Sequence, residues 1–158
     1  MHSVTDLSVR RAITVEATQA RAFDVFVNGL SLWWPLESHI IGEKPGQAAI
    51  VEPHPGGRWF ERDKNGVEEE WGHVVSIDSP NAVVLAWQLS TAFEYDPSLI
   101  TEVEMHFVAE TPHRTRVELV HRGLEAYGEE AALMQALFES PDAWGAALEA
   151  YAAVANAA

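Results

Sequence analysis

From Ala48 to Arg122 the chain falls into six short runs that are alternating or wholly apolar, each closed by turn residues. Beyond Gly123 the apolar spacing changes from about 2 to about 3.6 residues. The runs are Ala48–Glu52, Arg58–Asp63, Glu68–Ile77, Ala82–Leu89, Ile100–Ala109 and Thr115–Arg122. Between them stand Pro53, Pro55, Gly56 and Gly57, then Asn65-Gly66, then Asp78-Ser79-Pro80-Asn81, a loop with Tyr95, Asp96 and Pro97, and Glu110-Thr111-Pro112-His113. Connections this short cannot carry parallel crossovers, so the runs are predicted to form one antiparallel meander. Asn65-Gly66 predicts a two-residue type I′ turn, which pairs Lys64 with Val67, Arg62 with Glu69, Glu61 with Glu70 and Phe60 with Trp71. Ala82–Leu89 is apolar enough to be buried on both faces. On the last two runs Thr101, Val103, Met105, Phe107, Val117 and Leu119 point one way.

A further strand precedes these, Ser8–Glu16, with Ile13 and Val15 on one face. Thr18 is placed to cap a helix carrying Phe23, Phe26, Val27 and Leu30, and a short helical piece follows with Trp33 and Trp34. The segment from Leu36 to Gly46 reads as a loop. In the last third, Leu133, Met134, Leu137 and Phe138 mark one helical face. Ser140-Pro141 predicts a new helix start, with Ser140 as cap and Asp142 complementing the dipole. Trp144, Leu148, Tyr151 and Ala155 then give the apolar stripe of a final helix of about four turns. Seven twisted strands in one sheet curl, and the final helix is the element able to cover the concave face. The expected class is therefore α+β, with a space between sheet and helix that suits a ligand.

Charge and composition narrow the function. Ten Lys+Arg stand against 24 Asp+Glu, for a net charge of −14, and no base occurs from Gly123 to Ala158. Such a surface repels phosphate backbones and anionic headgroups, so neither nucleic acid nor membrane is an expected partner. The chain has no cysteine, which removes disulfides, thiol nucleophiles and thiolate zinc sites. The opening MHSVTDLSVRR lacks the apolar run of a leader, and a cytoplasmic location is expected. With 47% apolar residues in 158, one domain over 1–158 is expected, with homodimer formation left open.

Three stretches carry a family resemblance: PHPGGRWFERD from Pro53, EEEWGHVVSIDSPNAVVLAWQ from Glu68, and TRVELVHRGLEAYG from Thr115. With Ile13–Ala17, Ala22–Phe26 and Trp33-Trp34-Pro35, they make the chain resemble the SRPBCC superfamily over nearly its whole length. This is the START-like group of the birch-pollen allergen and the polyketide cyclases. The most similar branch is named after homologues of the activator of the heat-shock-chaperone ATPase. The resemblance implies a helix-grip fold, a curled seven-stranded antiparallel sheet around a long C-terminal helix, with a hydrophobic cavity inside. The separate N-terminal domain of the eukaryotic chaperone activators has no counterpart in this sequence.

Candidate site residues follow from the strand phases. His121 lies in phase with Val117 and Leu119, so it points inward. It is either a general base or ligand contact, or a buried histidine satisfied by a carbonyl or a tryptophan. Glu61 and Glu70, if opposed, could share a proton; on an outer face they are solvated charges. Trp59 shares the Glu61 face, whereas Phe60 and Trp71 share that of Arg62, so the inner side of Arg58–Asp63 stays open. One of Trp33 and Trp34 is expected at the cavity mouth, and Trp87 and Trp144 are read more as core. The ligand-binding set is Trp33, Trp34, Trp59, Glu61, Trp71, Met105, Leu119, His121 and Trp144. Glu102, Glu104 and His106 face Arg122 and Glu118 as complementary pairs, so no metal site is expected, and no cofactor motif occurs.

Three functions are compatible with these residues. The first is binding of a small hydrophobic molecule of lipid, polyketide or aromatic type. The second is a polyketide cyclase or aromatase using His121 or Glu61 to move a proton. The third is a chaperone-activator-like partner protein, which calls for a filled core and an exposed apolar patch.

Overall fold

The computed structural model describes residues 7–42 and 44–157; of the opening read for a leader, residues 1–11, the first six lie outside the described residues. Seven strands form one antiparallel sheet: β1 (Val9–Val15), β2 (Gly46–Val51), β3 (Arg58–Asp63), β4 (Glu68–Asp78), β5 (Ala82–Trp87), β6 (Thr101–Thr111) and β7 (Arg114–Arg122). Its order, β1-β7-β6-β5-β4-β3-β2, is the expected meander with the first strand closing against the last. Helices α1 (Gln19–Val27) and α2 (Leu30–Trp33) follow β1, and α3 (Ala131–Glu139) and α4 (Ala146–Asn156) follow a 3-10 segment, Leu124–Glu130. Among the described residues no helix is long and apolar enough to cross a membrane.

Local chemistry accounts for most boundaries. The Thr18 hydroxyl accepts from Arg21 N at 3.1 Å and starts α1. Val103, Met105, Phe107, Val117 and Leu119 are all buried on the inner face, in the expected phase. Gly72 sits where β4 and β5 approach most closely, and a Cβ there would lie 1.7 Å from Ala86 O. Glycine is required by that contact.

The β3–β4 turn departs from the two-residue reading. Asp63 Oδ1 accepts from both Asn65 N and Val67 N, at 2.8 and 3.0 Å, and Gly66 alone takes a positive φ of 84°. This is a three-residue loop with a left-handed glycine, and it moves the register by one. Arg62 opposes Glu68, Glu61 opposes Glu69 and Phe60 opposes Glu70. A bulge then leaves Trp71 between the Phe60–Glu70 and Trp59–Gly72 pairs. The expected Glu61–Glu70, Arg62–Glu69 and Phe60–Trp71 pairs are therefore absent. On the outer face Arg58 and Arg62 cover the Phe60 ring, 4.0 and 5.8 Å from its centroid, and both pair with Glu68.

The C-terminal helix is also not continuous. On α3 the buried face is Ala131, Met134 and Phe138, whereas Leu133 and Leu137 are 64% and 42% exposed. Ser140 makes no side-chain cap, and Ala143 leaves helical space at φ −91°, ψ −116°. Ala146 N bonds back to Ala143 O, so Asp142 O is released from the helical ladder. It accepts instead from His39 Nε2, at 2.6 Å. Regular helix resumes only at Ala146 and runs 11 residues, with Leu148, Tyr151 and Ala155 buried as the stripe predicts. Tyr151 fixes this helix on α1 by donating to Ala22 O at 2.7 Å.

Candidate functional site

A cavity of about 460 Å³ opens where the helical layer is interrupted. Its walls come from the α2–β2 loop (Trp34, His39, Ile40, Ile41), the sheet (Trp71, Trp87) and the α3–α4 junction (Phe138, Trp144, Ala147). Leu89 and Phe93, on the β5–β6 loop, complete the mouth. Its size falls within the range of about 300–1,000 Å³ in which small-molecule sites lie.

Five indoles form a closed cycle of ring contacts beside this space. Trp34 meets Trp71 at 5.0 Å between centroids, Trp71 meets Trp59 at 5.6 Å, and Trp59 meets Trp87 at 5.6 Å. Trp87 then meets Trp144 at 5.7 Å, and Trp144 returns to Trp34 at 5.9 Å. Most of these contacts are edge-to-face, the arrangement favoured by the ring quadrupole. Trp34, Trp71, Trp87 and Trp144 line the cavity, and Trp59 stands behind them.

Three of the lining indoles are held through their N–H groups. Trp34 Nε1 donates to His39 O at 2.7 Å, Trp71 Nε1 to Glu61 Oε1 at 2.7 Å, and Trp144 Nε1 to His121 Nδ1 at 3.1 Å. His121 and Glu61 thus stand one layer behind the cavity, each against the back of a lining ring.

The surroundings of His121 fix its form. An indole only donates, so Nδ1 is the acceptor in the bond from Trp144. Thr101 Oγ1 donates to Trp87 O at 3.1 Å and therefore accepts from His121 Nε2, 2.8 Å away. This network assigns the neutral Nε2–H tautomer. Full burial, at 0% exposure, pushes its pKa down to about 3. Glu61 is 1% exposed and faces inward, which resolves the side of β3 that the sequence left open. Its Oε1 accepts from Ile41 N as well as Trp71, and its Oε2 accepts from Gly42 N at 2.9 Å. The carboxyl group therefore ties the cavity-lining loop to the sheet.

Of the residues named from sequence, Trp34, Trp71 and Trp144 line the cavity, and Trp33, Trp59, Glu61, Met105, Leu119 and His121 do not. Met105 and Leu119 oppose each other in the packed interior beneath β6 and β7. Trp33 lies against Phe26 and Tyr151, and its Nε1 donates to Val25 O at 3.0 Å. Trp87, read as core, is buried in the core cluster and also forms part of the wall.

His39, Ile40 and Ile41 were missed because a loop carries no periodicity to read. The imidazole of His39 bridges the mouth, with Nδ1 2.7 Å from Ser38 Oγ and Nε2 on Asp142 O. Among the described residues no group of three or more His, Asp or Glu side chains could hold a metal ion.

Known proteins with this architecture now give the arrangement a context. An anthrahydroquino-Gama-pyrone synthase, Txn09, is 31% identical over 93% of this chain and 96% of its own, with a TM-score of 0.66. The self-sacrificing resistance protein CalC of Micromonospora echinospora is 28% identical over 93% and 92%, with a TM-score of 0.67. An Hsp90 activator of Plasmodium falciparum shares the fold at 17% identity over 73% and 71%, with a TM-score of 0.51. None of the curated proteins matches the chain. The family pattern described as activator of Hsp90 ATPase homolog 1-like protein matches residues 16–151, and the chain belongs to that family.

Proposed function

We propose that this protein binds a small, flat, largely apolar molecule of polycyclic aromatic type in the indole-lined cavity. The observation that carries the reading is the hollow itself, walled by four tryptophans whose rings offer faces and edges to a planar guest. Removing about 300 Å² of apolar ligand surface from water is worth about 7.5 kcal/mol before the cost of immobilisation. The name of one similar protein, an anthrahydroquino-Gama-pyrone synthase, agrees with a planar polycyclic guest. A partner protein of chaperone-activator type calls for a filled core, and the hollow speaks for the small molecule instead.

The test is a titration with emodin, a planar trihydroxyanthraquinone, read by intrinsic tryptophan fluorescence. Four of the six tryptophans line the cavity, so occupancy quenches most of the signal. Saturable quenching at one equivalent, lost in Ala147→Leu, supports the reading. Absence of saturation, with no co-purified small molecule in native mass spectra, refutes it.

A second reading, a ring-closing enzyme, is favoured by the 31% identical synthase. On that reading His39 is the proton-moving group, because it lines the cavity wall and His121 and Glu61 do not. His121 and Glu61 then act as positioning residues for Trp144 and Trp71. His39→Gln would abolish turnover while leaving emodin affinity within about twofold.

A further inference from the structure

Phe93 stands in the β5–β6 loop with φ at +57°, the one positive value among the described non-glycine residues. The left-handed region is costly for a bulky side chain, because Cβ crowds the following carbonyl. Such a conformation persists only where its surroundings over-determine it, and such residues cluster at functional sites.

The loop is over-determined. Ser90 holds both ends of the turn: its N donates to Glu94 O at 2.8 Å, and its O accepts from Phe93 N at 2.8 Å. The Ser90 hydroxyl oxygen accepts from Ala92 N and Glu94 N, at 3.2 and 3.3 Å. Tyr127 donates to Leu89 O at 2.7 Å, and Thr91 donates to Glu130 Oε1 at 3.3 Å. The loop is thus anchored to the 3-10 segment and cannot swing away to relax the strained residue.

The strain is not repaid by stacking on any other ring. Every other aromatic on the cavity wall, Trp34, Trp71, Trp87, Phe138 and Trp144, rests on another ring. Among the described residues Phe93 rests on none, is 38% exposed, and still lines the cavity mouth. Stacking within the protein therefore does not explain a phenylalanine at a position where asparagine or glycine would be unstrained.

We propose that Phe93 is a specificity-determining clamp, an aromatic face held rigidly at the mouth to stack on a planar aromatic guest. This rests on the cavity-binding reading above and adds which residue selects flat ligands. Rigidity matters because a ring fixed before binding loses no freedom when the guest arrives.

The experiment compares wild type, Phe93→Asn and Phe93→Tyr by emodin titration and thermal unfolding, with Ala147→Leu as the control for the cavity itself. In Phe93→Asn, affinity falls about tenfold while Tm holds or rises by about 2–4 °C, because asparagine tolerates the left-handed region. Phe93→Tyr keeps affinity within about twofold. Unchanged emodin affinity in Phe93→Asn, with binding still lost in Ala147→Leu, overturns the clamp and leaves the cavity reading standing. A Tm lowered by several degrees in Phe93→Asn overturns it too, since the ring would then serve the fold. If wild type does not bind emodin, the cavity reading fails and the clamp falls with it.

Discussion

Beneath β1, β6 and β7, the rings of Phe23, Phe26, Trp33, Phe107 and Tyr151 fill the space between sheet and helices. Phe26 alone meets Trp33, Phe107 and Tyr151 within 5.9 Å. Beneath β3, β4 and β5 side chains of the same kind leave a hollow. The course of the helical layer separates the halves. On the packed side α4 is regular, and its face toward α1, α2 and β1 includes Ala152 and Ala155, which allow close approach. On the hollow side the helical layer is broken at Ser140–Gly145, and three indoles are tied upright by their N–H groups. Trp33 and Tyr151 in the packed half are anchored in the same way, through Val25 O and Ala22 O. The break in the helical layer, more than the anchoring of any ring, separates a wall from a core here.

The largest effect expected from this contrast is on truncation. Leu119→Ala, in the packed half, should cost about 4–5 kcal/mol, because the site cannot collapse. Leu89→Ala, on the cavity wall, should cost about 2–3 kcal/mol, since its side chain already borders a void. Urea unfolding of the two variants measures both, and equal losses would break the comparison. Enlargement should act in the opposite sense. Ala22→Leu, on the buried face of α1 where Tyr151 bonds to the Ala22 carbonyl, should cost about 2 kcal/mol by overpacking. Ala147→Leu should cost less than about 0.5 kcal/mol in the same assay, because the added carbons enter the hollow.

Acid sensitivity comes next. The folded pKa of His121, about 3, lies below the unfolded value of 6.5. The unfolded chain therefore binds more protons between these limits, and stability is full above pH 6.5 and falls as pH drops toward 3. The slope is about 1.4 kcal/mol per pH unit. Subtracting the profile of His121→Gln, whose side chain does not titrate, should isolate that slope between pH 6.5 and 5. A modest effect is expected from Glu61→Gln, about 1–2 kcal/mol, because one carboxylate oxygen becomes an amide nitrogen that cannot accept, either from Gly42 or from Ile41 and Trp71. A red shift of tryptophan emission as Trp71 loosens would sharpen the case for anchoring.

Periodic elements were legible in the sequence, and geometry set by single polar contacts was not. The meander, the β6–β7 register, the inward His121 and the stripe of Leu148, Tyr151 and Ala155 all follow from alternation or helical spacing. The β3–β4 register did not, because Asn65-Gly66 suits two turn types and Asp63 selects the longer one by accepting two backbone N–H groups. The opposed Glu61 and Glu70 vanish with that one-residue shift. The break at Ala143 was hidden because Ser140-Pro141 is a good helix start taken alone. What defeats it is a histidine 103 positions away that takes the Asp142 carbonyl. Trp87 is core as expected, but that it also borders a hollow was not legible, because strand phase gives inwardness and not whether anything occupies the inside.

The break between α3 and α4 also bears on how such proteins diversify. Cavity width is set at an articulation whose backbone is already irregular, so residues can be gained or lost there without disturbing any strand pairing. Descendants of one barrel-like frame could thereby be refitted to guests of different girth through a few codons around Ser140–Gly145.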